Sequence, residues 1–127
     1  MGLDMTHHMH NAFIEVIPHK LQRYETSGDW YTLSNGLLHF KISQRSDKKH
    51  EWLDAMHEQI EQFICELRGV SQEQVDEWDF AHPGMEDPGS DPKAPYFEGH
   101  AFANSICMEL AKKIGVDWRE YYNEELT

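Results

Sequence analysis

One stretch of this 127-residue chain has the residue types and spacing of a metal site: His57-Glu58-Gln59-Ile60-Glu61, an HExxE pattern within a run that has the apolar period of a helix. Residues four apart share a helix face, so His57 and Glu61 can aim at one point. Imidazole and carboxylate both suit a borderline cation such as Zn2+. A further carboxylate beside them, Glu58, can take the proton of a metal-bound water. A hydrolytic centre of this kind keeps three protein ligands and one open position. The candidate for the third ligand is His100, on the first turn of a later helix and just off its Ala103/Cys107 stripe. Two helices packed through their stripes would bring His57, Glu61 and His100 together. Asp54, one turn before His57, is a supporting or extra ligand.

The pentapeptide resembles the HExxH zinc helix with a carboxylate in place of the second histidine. The resemblance to zincin-type metallopeptidases implies a metal-dependent hydrolase acting on a small molecule or peptide. It also implies an edge strand before the helix that binds the substrate backbone, and a strand expected at Leu38 to Ser43 precedes HEQIE here. HExxE is a short pattern, and the same residues also describe a solvated helix face with His57 bonded to a backbone carbonyl. The two readings part on distance. His57 and His100 more than about 10 Å apart could not share an ion held at about 2 Å.

A different chemistry starts from the same residues. Glu58-x-x-Glu61 followed by Asp76-x-x-Asp79 puts paired carboxylates on two consecutive helices, where they can hold Mg2+ and through it a phosphate substrate. This is similar to the ExxE…ExxD pattern of the all-α MazG-type nucleotide pyrophosphohydrolases. Three features depart from that family: Asp76 stands where it has Glu, a β-hairpin is foreign to its fold, and no Lys/Arg cluster is near to receive a triphosphate.

The elements that must position these groups are legible in part. Phe13 to Ile17, ended by Pro18, reads as a first strand. Trp30 to Leu33 and Leu37 to Ser43 flank Asn35-Gly36, whose positive φ angles suit a tight I′ hairpin turn. Leu38, Phe40 and Ile42 face one side and His39 and Lys41 the other. Ser46 opens a long helix with Asp47 in its first turn. Its apolar stripe, Leu53, Met56, Ile60, Phe63, Ile64 and Leu67, is expected to pack on the sheet, and Gly69 ends it. Ser71 and Gln74 form a capping box for a short helix from Gln72 to about Phe80. Residues 81–95 hold four of the five prolines and read as an irregular loop covering the site. A third helix starts near Pro95 and runs to Gly115, and a last one spans Trp118 to Leu126. The expectation is α+β: a small antiparallel sheet packed by two long and two short helices. Residues 12–127 form a single domain in this reading, with residues 1–11 as a flexible tail in which His7, His8 and His10 chelate at most adventitiously.

Composition narrows the partners. Lys plus Arg is 11 against 23 Asp plus Glu, a net charge of −12 with histidines neutral. The basic residues are scattered, which argues against nucleic acid. No apolar run reaches membrane length, and Met1 to His10 lacks the build of a secretion signal. Cys65 and Cys107 fall in helix interiors and read as buried free thiols, so the expected compartment is cytoplasmic. His39 and His50 are expected at the surface, and His19 in a turn after Pro18.

The order of motifs over residues 18–122 also resembles a group of small phage and prophage proteins of no assigned activity. Those motifs are the strand, HExxE, GVS…VDEWD, the Pro/Gly/Asp loop, APY…H and LAKKIGVDW. The resemblance implies that His57, Glu58, Glu61, Asp76, Asp79, Tyr96 and His100 form one set. It also opens a non-catalytic alternative, an accessory or assembly protein working through protein contacts or as a homo-oligomer. Trp30, Tyr31, Tyr121 and Tyr122 would then be exposed interface aromatics, and a contiguous apolar surface patch would favour that role.

Overall fold

The turn at Asn35-Gly36 sets the register of the sheet. Of its two central residues only Gly36 has positive φ, at 84°. The Gly36 N–H donates to Leu33 O, and Leu33 and Leu37 close the loop. This is a three-residue hairpin loop with glycine in the left-handed position, the commoner partner of a type I turn, and not the I′ turn expected. It joins β2 (Gly28–Thr32) to β3 (Leu38–Ser43) with Trp30 opposite Phe40. The computed structural model describes residues 11–127, so the expected tail and its histidines, apart from Asn11, lie outside the described residues.

The first strand, β1 (Ala12–Ile17), pairs with β3 in parallel, Ile14 beside Phe40, giving the order β1-β3-β2. The sheet is small, as expected, but mixed and not purely antiparallel. The cause lies after Pro18. A 3-10 turn at His19–Leu21 carries the chain back along the sheet. It is pinned by His19 Nδ1 to Ser43 Oγ at 2.8 Å and by Gln22 Nε2, which donates to Lys41 O at 3.0 Å. β3 is therefore central, with its backbone groups shared between two neighbours. The strand at the edge beside the candidate site is β2.

Helix α1 (Lys48–Arg68) starts one residue later than expected. Asp47, not Ser46, is the cap, and its carboxylate accepts from the Lys49 N–H at 2.8 Å. Gly69 ends the helix at φ 72°, a conformation that L side chains adopt rarely. The apolar stripe does not pack on the sheet. Of its members only Leu53 is buried, whereas Phe63 and Leu67 are 56% and 65% exposed. The buried face carries His50, Asp54, His57, Glu58 and Glu61 with Leu53 and Cys65. A helix that turns its carboxylates inward lines a cavity, and the usual pattern logic reverses there.

The capping box at Ser71/Gln74 starts α2 (Gln72–Ala81) as its residues demand. The loop that follows includes a 3-10 turn at Pro88–Ser90 and leads to α3 (Phe97–Ile114). The last helix, α4, is shorter than expected, at Trp118–Tyr122, with the Asp117 side chain accepting from the Glu120 N–H. The fold is thus α+β with two long and two short helices. α3 crosses α1 closely because residue 99 is glycine: a Cβ there would lie 3.1 Å from the Glu61 carbonyl oxygen. Two apolar clusters result. Trp30, Phe40, Cys65, Val75, Ala94 and Tyr96 form one; Leu53, Cys107, Ala111 and Tyr121 form the other. Cys65 and Cys107 are free and buried, as their helix-interior positions suggest, and burial pushes both thiols up to about 12. No helix among the described residues is long and apolar enough to cross a membrane.

His50 is buried, not at the surface. Its Nδ1 lies 2.7 Å from Glu124 Oε1, and the Ser46 N–H donates to Glu124 Oε2 at 2.9 Å. Burial pushes the Glu124 carboxyl up, but these hydrogen bonds prevail and hold it at about 2, below its ordinary 4.5. A depressed carboxyl stabilises the fold above its unfolded pKa and ceases to do so as the pH falls through the folded value. Glu124→Gln is therefore expected to lower the urea midpoint at pH 6, with the difference from wild type shrinking below pH 4.5 and gone near pH 2.

Candidate metal centre

Three side-chain atoms from two helices meet beneath the 82–96 loop. His57 Nε2 lies 3.1 Å from Glu61 Oε2, His100 Nδ1 lies 3.0 Å from the same oxygen, and the two ring nitrogens are 3.2 Å apart. The expected set His57, Glu61 and His100 thus comes together from the i, i+4 spacing on α1 and the first turn of α3. Ligands about 2.0–2.1 Å from one ion are separated by about 3.0 Å in an octahedron and about 3.4 Å in a tetrahedron. The triangle falls within or close to that range on every side. Two imidazoles and a carboxylate form the His2Glu donor set of catalytic zinc, and one that Fe2+ and Mn2+ also accept.

The groups around the triangle hold it in shape. His100 turns Nδ1 to Glu61 and His57, and its Nε2 lies 3.1 Å from Asp87 Oδ1. A carboxylate on the far nitrogen fixes ring orientation and raises basicity toward an ion. Asp87 is itself fixed by O–H donation from Ser90 at 2.6 Å and Tyr122 at 2.5 Å. Trp30 Nε1 donates to the other Glu61 oxygen at 3.3 Å. Gly89 lets the loop lie flat on the site, because a Cβ there would collide with the rings of Tyr96 and His100.

Charge follows from these contacts. Burial pushes the Glu61 carboxyl up, but hydrogen bonds from His100 and His57 outweigh it and hold the group at about 2. Burial pushes His100 down, and the Asp87 and Glu61 carboxylates reverse this and bring it to about 10. Asp87, against His100, sits well below the ordinary carboxylate range despite its own burial.

Glu58 differs from all of these. It is 8% exposed, yet among the described residues nothing hydrogen-bonds or ion-pairs with its carboxylate. It lines a cavity of about 300 Å3 together with His57, Glu61 and His100. Burial first, then the neighbouring Glu61 charge, raises its pKa well above the ordinary value. Its carboxylate has room because residue 28 is glycine, and a Cβ there would occupy its space. A buried, unpartnered carboxyl beside three ligand atoms has the place and chemistry of a general base.

The supporting residues divide. Asp79 lines the cavity and accepts from Tyr24 at 2.9 Å and Tyr96 at 2.5 Å. Asp54 reaches the cavity wall, but Arg45 holds it through two N–H donors at 2.7 and 3.1 Å, with the Tyr121 hydroxyl as a third. The Asp54 oxygens are thereby committed to Arg45 and Tyr121. Asp76 does not line the cavity, because Arg23 grips both its oxygens at 2.7 and 3.0 Å. The four-carboxylate Mg2+ arrangement thereby loses one member. Trp30 is buried against Glu61 and is not an interface aromatic, and Tyr121 is buried too.

Sequence reasoning did not find Trp30, Asp87 or Gly28. The first two act across long sequence separations and belong to no local motif. Comparisons with known protein families, curated proteins and solved structures gave no match.

Proposed function

We propose that this chain is a mononuclear metalloprotein in which His57, Glu61 and His100 hold the ion, Zn2+ in the first instance, and that it is a hydrolase with Glu58 as general base. The observation that carries the reading is the closed triangle of ligand atoms, 3.0 to 3.2 Å on a side. The ion's part is to acidify a water and polarise the bond under attack. The protein's own residues do the rest. Glu58 accepts the proton, Asp87 orients His100, and the 82–96 loop with Trp30 and Tyr96 keeps bulk water out.

The zincin likeness extends to the metal and the base but not to the strand. β3 is central, so an extended peptide would lie along the edge strand β2, whose Gly28, Asp29 and Trp30 line the cavity. Glu58→Gln keeps size and polarity and removes the base. In the zinc-loaded protein, on whichever substrate of an ester and peptide panel is turned over, it is expected to lower kcat by about 10²- to 10⁴-fold while zinc content is unchanged. Equal turnover in both proteins would remove Glu58 from this role. Buried free thiols suit the reducing cytoplasm, which is the compartment we assign.

A second reading has its own observation. Trp52, Met56, Phe63 and Leu67 follow one outer face of α1 and are all exposed, as are Phe102 and Ile106 one turn apart on α3. Such an apolar face suits a protein partner or a second copy. The protein-contact role and the metal site are compatible. Sedimentation equilibrium tests the self-association form, which a monomer at tens of micromolar would exclude.

A further inference from the structure

The charge of the cavity bears on what enters it. Resting on the metal reading above, we propose that the site selects substrates carrying a protonated amine or guanidinium group, received by Asp79 while the scissile bond faces the ion. Eight carboxylates line the cavity, and among the described residues Arg45 is the only lysine or arginine that does. Arg45 is already committed to Asp54, and Asp29 is held by Arg23 from outside the cavity at 2.6 Å. Glu61 and Asp87 lie on the histidines. Glu25 lies 2.7 Å from His19 Nε2, and Glu58, Asp79 and Glu86 are left without a cationic partner among the described residues. One divalent ion does not offset this surplus, so a phosphate or carboxylate ligand would meet net repulsion.

One of these eight, Glu58, is more than nine-tenths buried, faces the same space and has no hydrogen-bond or ion-pair partner among the described residues. Asp79 is built as a receptor. Tyr24 donates to one oxygen and Tyr96 to the other, which fixes the carboxylate and leaves each oxygen with acceptor capacity. Tyr24, Trp30 and Tyr96 supply aromatic walls, which attract organic cations. Tyr96 connects the two ends: its hydroxyl is on Asp79 and its ring centroid is 6.0 Å from that of His100. The anchor and the ion site thus lie along one wall of the same cavity.

Hydroxamates, which chelate the ion directly, test this with the zinc-loaded full chain. An ω-amino alkanoyl hydroxamate series is titrated beside alkyl and ω-carboxy hydroxamates of the same lengths, by calorimetry. The best amino member is expected to bind about 10- to 100-fold tighter than its alkyl counterpart, and the carboxy member most weakly. Asp79→Asn, whose amide oxygen still accepts from one tyrosine while its NH2 donates to the hydroxyl oxygen of the other, is expected to abolish the amine advantage. Alkyl binding without an amine preference, or a preference that survives Asp79→Asn, would overturn the inference and leave the metal reading standing. No binding by any hydroxamate would overturn the metal reading and this inference with it.

Discussion

Zinc at a hundredfold excess over its Kd is expected to raise the thermal midpoint by about 10 °C. An ion that binds only the folded state adds about 2.7 kcal/mol at that excess, and a domain of this size shifts by a few degrees per kcal/mol. His57→Ala and His100→Ala are each expected to remove nearly all of that shift, because a two-ligand remnant cannot compete with water for the ion. The comparison is of zinc-dependent shifts, since each variant also removes a hydrogen bond to Glu61 and lowers the metal-free midpoint. A shift that persists in both variants would place the stabilising ion elsewhere in the chain.

Arg45→Ala is expected to cost about 3–5 kcal/mol. The Arg45 side chain is 6% exposed and that of Asp54 5%. Arg45 also donates to Tyr121 O at 2.9 Å, and its guanidinium lies over the Tyr121 ring at 4.7 Å. Its removal leaves a buried carboxylate with the Tyr121 hydroxyl as its one remaining hydrogen-bond partner among the described residues. That loss is a large share of the 5–15 kcal/mol typical of a domain. Replacing both partners with apolar residues, Arg45→Met with Asp54→Leu, is expected to recover most of it, since the cost lies in the orphaned charge. Urea unfolding of the wild type and the two variants reads the difference directly. A single variant losing under 1 kcal/mol would contradict the account of this pair.

What could be read in the sequence was local. The i, i+4 spacing of His57 and Glu61, the capping box at Ser71 and Gly69 as a stop all depend on a single turn of helix. His100 was reachable because its phase beside Ala103 and Cys107 sets it against α1. The inward face of α1 misled for a physical reason. Apolar periodicity locates a core, but α1 faces a polar cavity with its carboxylates and leaves Phe63 and Leu67 outside. The parallel pairing of β1 with β3 depends on contacts made by His19 and Gln22 with strand ends some twenty residues on, which no local pattern encodes. Asp54 and Asp76 looked like ligands by spacing alone. Arg45 and Arg23, from other parts of the chain, take them instead.

The most direct test is metal content by elemental mass spectrometry on full-length protein, dialysed exhaustively and carrying His7→Ala, His8→Ala and His10→Ala to remove adventitious chelation. The account predicts about one transition-metal ion per chain, falling to background when His57→Ala or His100→Ala is added. No metal in the parent protein, also after zinc loading, would contradict it. His57, Glu61 and His100 would then be a hydrogen-bonded cluster and nothing more.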